Sequence, residues 1–157
     1  MNEITPELID LTIQTLGSPK FENNKLEAYK DSSGIPTIFR GHVIKANEAD
    51  LLVGVHSEQE SYDTCKADTT PAMQAVVKSL KVPQNNNQLV ALTILTYNIG
   101  DGGFESSTVL RMINSNAGRE AITSAWLMWN KAMVNGISTT IQGLINRRNN
   151  ELDIYFS

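Results

Sequence analysis

The sequence predicts an α+β fold in which helices predominate. The segment Leu89–Ile99 is apolar nearly all round, as expected of a helix buried in the middle of a bundle. The segment Asp31–His42 instead begins with the turn signal Asp-Ser-Ser-Gly and continues with β-branched residues, which predicts a tight β-hairpin. The chain of 157 residues has the length of one domain and can bury roughly two-thirds of its unfolded surface.

The first half of the chain carries clear signals for where elements begin and end. Thr5-Pro6 begins a helix, which the stop signal Gly17-Ser18-Pro19 ends. Residues 29–56 are rich in strand and turn signals. Ser57-Glu58-Gln59-Glu60 has the form of a capping box and begins a long helix. Pro71 is expected to kink or break that helix, because proline removes a backbone donor and clashes with the preceding turn.

For the second half, the sequence predicts a series of helices joined by loops. Pro83 and Asn85–Asn87 form a loop before the buried helix over Leu89–Ile99, which Gly100–Gly103 ends. Three further helices are expected at about 107–114, 118–131 and 139–155.

Composition excludes several classes of protein. The 13 basic and 17 acidic residues give a net charge of −4, and the basic residues are scattered, so we expect no nucleic-acid partner. The chain has no run of 18 apolar residues, so the sequence predicts no membrane span or anchor. The N-terminus lacks the pattern of a signal peptide. Cys65 is the single cysteine, and its helix-like surroundings predict a small core residue rather than a catalytic thiol.

Two acids nine positions apart are the candidate catalytic groups. Glu22 follows the first helix, and Asp31 lies at the start of the predicted hairpin, which can fold it back to face Glu22. Two carboxylates on either side of a glycosidic bond are the minimum apparatus for glycoside hydrolysis. Glu27 is the rival acid, but it lies only four residues from Asp31.

These acids belong to a longer series of motifs. The first blocks are Glu22, Leu26–Asp31, Gly34–Thr37 and Gly41–His42, and the later blocks are Leu95–Gly100, Phe104–Arg111, Trp129–Ala132 and Gly143–Arg148. In residues and order, this series resembles the phage-type lysozymes, the endolysin muramidases of glycoside hydrolase family 24. The family pattern begins with a Glu followed by Gly, an apolar-x-Ala-Tyr-x-Asp run, and Gly-x-x-Thr-x-Gly-x-Gly-His. The matching blocks extend over most of the chain, from about residue 21 to about residue 148.

The resemblance implies a two-lobed lysozyme-like fold with a sugar-binding cleft between the lobes. We expect one domain over residues 1–157, with a small hairpin lobe at about 20–56. The helical lobe is expected to consist of residues from about 57 to 157 together with the N-terminal helix. The implied activity is hydrolysis of the β-1,4 bond between N-acetylmuramic acid and N-acetylglucosamine in peptidoglycan, with no cofactor and no metal.

The resemblance also assigns roles to the acids. Glu22 would be the general acid, which must hold a proton near neutral pH. Asp31 and Thr37 would position the attacking water, so that the anomeric centre is inverted. Each residue has a structural alternative, because Asp commonly caps its own turn and Thr37 suits a strand.

Four further residues are candidates for supporting or binding roles. Arg148 lies on the inward stripe of the last helix and is expected to pair with Glu22, whereas Arg147 points about 100° away and is expected to be solvated. His42 is expected to be a structural histidine that bonds across the hairpin. Asn98 and Ser107 align with sugar-contacting residues of the family; a helix-terminal amide and an N-cap serine are the alternatives.

The sequence departs from the family pattern at three places besides Pro71. Asn23 replaces the glycine after the catalytic acid, Phe39-Arg40 replaces Gly-x and puts bulk on a hairpin that borders the cleft, and Gly17-Ser18-Pro19 interrupts a helix that commonly runs into the acid. These departures leave open a catalytically silent, wall-binding relative. A lytic transglycosylase, which needs only the acid, is the third hypothesis.

The partners implied by the resemblance are peptidoglycan glycan strands and a holin that gives access to the wall. We expect a monomer that stays in the host cytoplasm until lysis and then acts on the cell wall or in the periplasm.

Overall fold

The computed structural model describes residues 2–157, with a small sheet near the N-terminus followed by a helical body. The N-terminal part comprises α1 (Pro6–Leu16), β1 (Lys25–Lys30), β2 (Pro36–Phe39), β3 (His42–Val43) and a 3-10 helix (Ala46–Leu52). The rest comprises α2 (Glu58–Ser79), α3 (Asn86–Ile99), α4 (Asp101–Glu105), α5 (Thr108–Asn114), α6 (Arg119–Leu127), β4 (Lys131–Val134), β5 (Ile137–Thr140) and α7 (Gln142–Tyr155). This is the predominantly helical α+β fold that the sequence predicts.

The predicted starts of α1 and α2 are confirmed, whereas α3 begins at Asn86, inside the segment that was expected to be a loop. The Thr5 side chain accepts a hydrogen bond from the backbone N–H of Leu8 at the start of α1. Ser57 and Glu60 form the capping box of α2, and Asn85 and Gln88 form another at the start of α3. Local chemistry is sufficient here because each capping partner lies within three residues.

Helix α3 is the centre of the core. Every residue from Leu89 to Thr96 is buried, because α1, α2 and α7 all pack against this helix. Cys65 on α2 is one of the buried side chains around it, as the sequence predicts, and burial raises the pKa of its thiol to about 12. Of the helices within residues 2–157, none is both long and apolar enough to cross a bilayer.

Pro71 was expected to kink or break the long helix, and a break at this residue is wrong. Pro71 lies inside α2, which continues to Ser79. The ring removes one backbone hydrogen bond, but Thr69, Ala72 and Met73 around it are buried in the packing of α2 on its neighbours. Packing on both sides of the proline therefore outweighs its local cost.

A second hairpin lies where the sequence predicted only helices. The helix expected to reach residue 131 ends at Leu127, and the one expected from residue 139 begins at Gln142. Strands β4 and β5 pair between them, and Asn135-Gly136 makes the turn with φ of 51° and 78°. An Asn-Gly pair between apolar residues is a strong hairpin signal, so the sequence contained enough information to predict this hairpin.

The first sheet, ordered β1-β2-β3, brings the predicted hairpin to the helical body. Tyr29 pairs with Thr37 across β1 and β2, and Ile38 pairs with His42 across β2 and β3. Ile38 and Phe39 are buried, and β2 and β3 both contact α2. The sheet thus holds the turn before β2 opposite the residues that follow α1.

Candidate active site

A cleft of about 450 Å³ lies between the first sheet and the helical body. Five of the seven predicted site residues line it: Glu22, Asp31, Thr37, His42 and Asn98. Its remaining lining comes from Tyr29, Gly41, Val43, Lys45, Asp68 and Tyr97. Elements distant in sequence therefore converge on the two acids.

Glu22 is held at the rim of the cleft by the turn that follows α1. Its backbone N–H donates to the carbonyl of Leu16, which folds the chain back onto the end of the helix. Asn23 then has a φ of 61°, a left-handed conformation that glycine adopts freely and asparagine tolerates better than most residues. Asparagine in place of the family's glycine is therefore compatible with the turn that presents Glu22.

Asp31 both caps its turn and lines the cleft. Its Oδ1 accepts hydrogen bonds from the backbone N–H groups of Ser33 (2.8 Å) and Ile35 (2.9 Å). Thr37, on the strand that follows, donates its hydroxyl proton to the carbonyl of Ile35 at 2.9 Å. The turn-capping role considered for Asp31 and its position in the cleft are thus compatible, since one oxygen fixes the orientation of the other.

Tyr29 connects the two acids electrostatically. Its pKa is raised by burial first, and then by the negative charges of Glu22 and Asp31. Both carboxylates therefore act on the same phenol, which lines the cleft with them.

His42 bonds to helices rather than across the hairpin. Its Nδ1 lies 2.7 Å from Asp68 on α2, and its Nε2 lies 3.0 Å from Glu48 on the 3-10 helix. Burial by itself would lower the pKa of His42, but the hydrogen bonds to the two carboxylates outweigh burial and raise it. His42 ties the sheet to α2, as expected of a structural histidine, although its partners differ from those predicted.

The arginine that pairs with Glu22 is Arg147, and the prediction that Arg148 does so is wrong. Arg147 Nη1 donates to Glu22 Oε1 at 2.8 Å, and the Arg147 side chain is only 11% exposed. Arg148 is buried on the inward stripe, as predicted, but its guanidinium contacts Glu151 and Asn98. The position of Arg148 on the apolar stripe of α7 predicts that it is buried. Which of the two arginines pairs with Glu22 depends instead on how α7 is oriented about its axis relative to the turn after α1.

Asn98 and Ser107 have different positions. Asn98 lines the cleft, and its Oδ1 accepts from Arg148 Nη2 at 2.6 Å. Ser107 is the buried N-cap of α5, where its side chain accepts from Leu110 and donates to Phe104. The structure thus accounts for Ser107 as a helix cap, away from the cleft.

The bulk at Phe39-Arg40 does not border the cleft. Phe39, with a φ of 60°, is buried against His56, and Arg40 extends to Ser61 and Glu58 on α2. The stem of Arg40 crosses Gly17, where a Cβ would stand 2.6 Å from Arg40 Nε. The glycine that ends α1 therefore makes room for this arginine.

Glu27 does not line the cleft. It is exposed on β1 and borders a different depression, beside Lys25 and Val55. Among residues 2–157, no group of three or more His, Cys, Asp and Glu side chains is arranged to hold a metal ion.

Glu151, Asp68 and Tyr97 belong to the surroundings of the site, although sequence reasoning missed them. Glu151 is fully buried on α7 and contacts both Arg147 and Arg148, and an acid on an inward stripe is the signal that could have found it. Asp68 and Tyr97 reach the cleft from α2 and α3, and Tyr97 donates its hydroxyl proton to the carbonyl of Gly41. Nothing in their local sequence indicates these contacts.

Comparison with known proteins adds to this geometry. The family model described as Phage lysozyme matches residues 19–151. The endolysin of Salmonella phage P22 is 38% identical over 112 residues, which cover 71% of this chain and 76% of that protein. The SAR-endolysin of Pseudomonas phage phiKMV is 32% identical over 136 residues, which cover 87% and 81%.

Solved structures agree with the sequence comparison. The endolysin from Escherichia coli O157:H7 phage FAHEc1 has a TM-score of 0.80 at 34% identity, over 98% of this chain and 93% of that one. The muramidase domain of SpmX from Asticaccaulis excentricus has a TM-score of 0.75 at 25% identity, over 100% and 99%. The similarity extends over the sheet, the cleft and the helical body.

Proposed function

Because the chain belongs to the phage lysozyme family and is a peptidoglycan hydrolase, we propose that it is a muramidase, with Glu22 as its general acid. It would cleave the β-1,4 bond between N-acetylmuramic acid and N-acetylglucosamine. The observation that carries this proposal is that Glu22, Asp31 and Thr37 line one cleft. One acid protonates the departing glycosidic oxygen, and the other directs water to the anomeric carbon.

Glu22 is suited to the acid role by how its two oxygens are used. Oε1 accepts the hydrogen bond of Arg147, while Oε2 lies on the side of Gly41, where a Cβ would stand 2.7 Å away. A glycine at that position lets the carboxyl lie against the backbone of the sheet at the edge of the cleft. Oε2 would then be the oxygen that carries the proton to the substrate.

Asp31 and Thr37 are suited to hold a water molecule as two acceptors. The Thr37 hydroxyl already donates its proton to Ile35, so toward a bound water it can act only as an acceptor. The second oxygen of Asp31 is an acceptor as well. A water that donates both protons to these oxygens directs its lone pairs away from them, which is the orientation for attack on a sugar carbon.

We further propose a single catalytic domain over residues 1–157, with a small lobe at about 20–56 and a helical lobe that includes α1. The partners would be peptidoglycan glycan strands, and the protein would work as a monomer. With access provided by a holin, it would pass from the host cytoplasm to the wall at lysis.

Mass spectrometry of purified peptidoglycan digested by the protein tests this proposal. Muropeptides with a reducing N-acetylmuramic acid end are expected, and Glu27→Gln should release the same products. A 1,6-anhydro end would instead identify a lytic transglycosylase. Binding to wall material without any cleaved product would identify a catalytically silent relative, and either result would overturn the muramidase proposal.

A further inference from the structure

A buried carboxylate connects the two arginines of α7, each of which reaches a residue that lines the cleft. Glu151 Oε2 lies 3.2 Å from Arg147 Nε and 3.0 Å from Arg148 Nη2, and Oε1 accepts from Trp126 Nε1 at 2.9 Å. Arg147 continues to Glu22, and Arg148 continues to Asn98. We name this set the Glu151 network: Glu22, Arg147, Glu151, Arg148 and Asn98.

The network begins and ends at the cleft, because Glu22 and Asn98 both line it. Its middle is buried: the side chains of Arg148 and Glu151 are 1% and 0% exposed. Burial raises the pKa of Glu151 and lowers that of Arg148, and their mutual attraction opposes both shifts. A buried charge of this kind is costly without partners, so the three charged groups depend on one another.

We propose that Glu151 acts as a positioning residue for the reaction. Its carboxylate shares the positive charge of Arg147 with the carboxylate of Glu22. This inference rests on the proposed role of Glu22 as general acid. Two carboxylates share one guanidinium here, Glu22 through Nη1 and Glu151 through Nε. The negative charge of Glu151 thereby limits how strongly Arg147 stabilises the ionised form of Glu22.

The other groups near Glu22 are the same in wild type and in the variants below, including the basic side chains of the cleft, His42 and Lys45. The titratable side chains that face it from β1, α2 and α3 are Tyr29, Cys65 and Tyr97, and burial raises the pKa of each, so they stay uncharged near neutral pH. The carboxylates of Asp31 and Asp68 act on the same tyrosines and are unchanged in the variants below. Arg147 is therefore the charged neighbour whose balance Glu151 can alter.

Glu151 also orients Asn98, because Arg148 donates to both of them. Loss of the carboxylate frees Arg148 to move and leaves the Asn98 amide unfixed at the cleft wall. This second effect is on substrate binding, whereas the first is on the protonation of the acid, so kinetics can separate them.

The test is the pH dependence of kcat/KM for Glu151→Gln, with peptidoglycan as substrate. A general acid loses activity as it deprotonates, so loss of activity on the alkaline limb includes the deprotonation of Glu22. His42 also lines the cleft, but its partners Asp68 and Glu48 are the same in wild type and variant. A movement of the limb caused by Glu151→Gln is therefore assigned to the acid that shares Arg147. With the charge of Glu151 removed, that limb should move to lower pH by about 0.5–1 unit. KM should also rise severalfold at acidic pH, where the acid is protonated.

Two further variants separate charge from structure. Glu151→Asp keeps the charge and should leave the limb in place even if the protein melts at a lower temperature. Glu120→Gln makes the same chemical change at an exposed position of α6 and should alter neither the limb nor KM.

If Glu151→Gln does not fold, the single variant Arg148→Gln is compared with the double variant Arg148→Gln/Glu151→Gln. Both lack one of the two positive charges beside position 151, and they differ only in the carboxylate of Glu151. The limb of the double variant should lie at lower pH than that of the single variant. A folded variant without the carboxylate whose limb does not move overturns the proposal. An inactive wild-type protein would instead overturn the proposed function itself.

Discussion

Gly41 lies directly against the carboxyl group of Glu22. A Cβ at Gly41 would stand 2.7 Å from both the carboxyl carbon and Oε2 of Glu22, and the Gly41 backbone has a φ of 83°. The carbonyl of Gly41 also accepts a hydrogen bond from Tyr97 on α3. The position of the proposed acid therefore depends on the absence of a side chain at one residue of the turn between β2 and β3.

Gly41→Ala should reduce activity at least about tenfold, because a displaced catalytic group loses the geometry of attack. It should also cost about 1–2 kcal/mol of folding free energy through the left-handed backbone. Gly54→Ala is the matched control, since Gly54 has a φ of 80° and a Cβ added there would meet nothing within 4 Å. Equal activities of the two variants at equal folded concentration would refute the contact as a determinant of catalysis.

Glu22→Gln should give a folded protein whose activity is at least about a hundredfold lower, the scale of a lost general acid. Clearing of a peptidoglycan suspension measures the activity, and thermal melting measures the fold. Glu27→Gln removes an exposed acid of β1 that does not line the cleft, so it should keep nearly full activity. Retained clearing by Glu22→Gln would transfer the acid role to another residue.

The two neighbouring arginines should differ in what their loss changes. Arg148→Ala leaves Glu151 buried with one guanidinium fewer and should cost about 3–5 kcal/mol of folding free energy. Arg147→Ala removes the positive charge beside Glu22, which favours the protonated acid, so the alkaline limb of the pH–rate profile should move to higher pH. Denaturant unfolding and the pH profile of both variants provide the comparison; an unmoved limb in Arg147→Ala would contradict its electrostatic role.

Folding stability should decrease as the pH rises through the raised pKa of His42. A group whose pKa is higher in the folded state contributes stability that is complete below its unfolded value, ordinarily 6.5, and is lost above its folded value. At acidic pH, folding stability depends on the protonation of Glu48. A backbone hydrogen bond from Lys45 lowers the pKa of Glu48, so its contribution is present above 4.5 and is lost on acidification.

Asp68→Asn removes one carboxylate from His42 and should cost about 1–3 kcal/mol near pH 6, with a smaller cost near pH 9. Urea unfolding at several pH values measures both. Asp63→Asn, an exposed change on the same helix, should show no such pH dependence. A cost for Asp68→Asn that is the same at both pH values would contradict a change in the charge of His42 between them.

The product should carry the α configuration at its new reducing end. If Asp31 and Thr37 hold a water, attack comes from the face opposite the leaving group and the anomeric centre is inverted. Proton NMR during early hydrolysis records the anomer before it equilibrates. An initial β-anomer would mean that Asp31 forms a covalent intermediate instead.

Local signals predicted much of this fold because their partners are close in sequence. The Ser57–Glu60 capping box, the Thr5 cap and the turn capped by Asp31 each involve residues within four positions. The Asn135-Gly136 turn carried an equally local signal and could have been predicted in the same way. Pro71 shows the opposite case, since its local cost is offset by packing that only the assembled core provides.

By itself, the sequence determined the order of the acid, the turn and the hairpin, and the burial of Arg148, because backbone geometry and helical period fix these within a few residues. The tertiary structure decided which arginine meets Glu22, since adjacent residues on a helix point about 100° apart and the orientation of α7 about its own axis determines which of them faces the turn after α1. It also decided that Arg40 lies over Gly17 and that Arg148 reaches Asn98. Those contacts join residues far apart in the chain, so no local pattern encodes them.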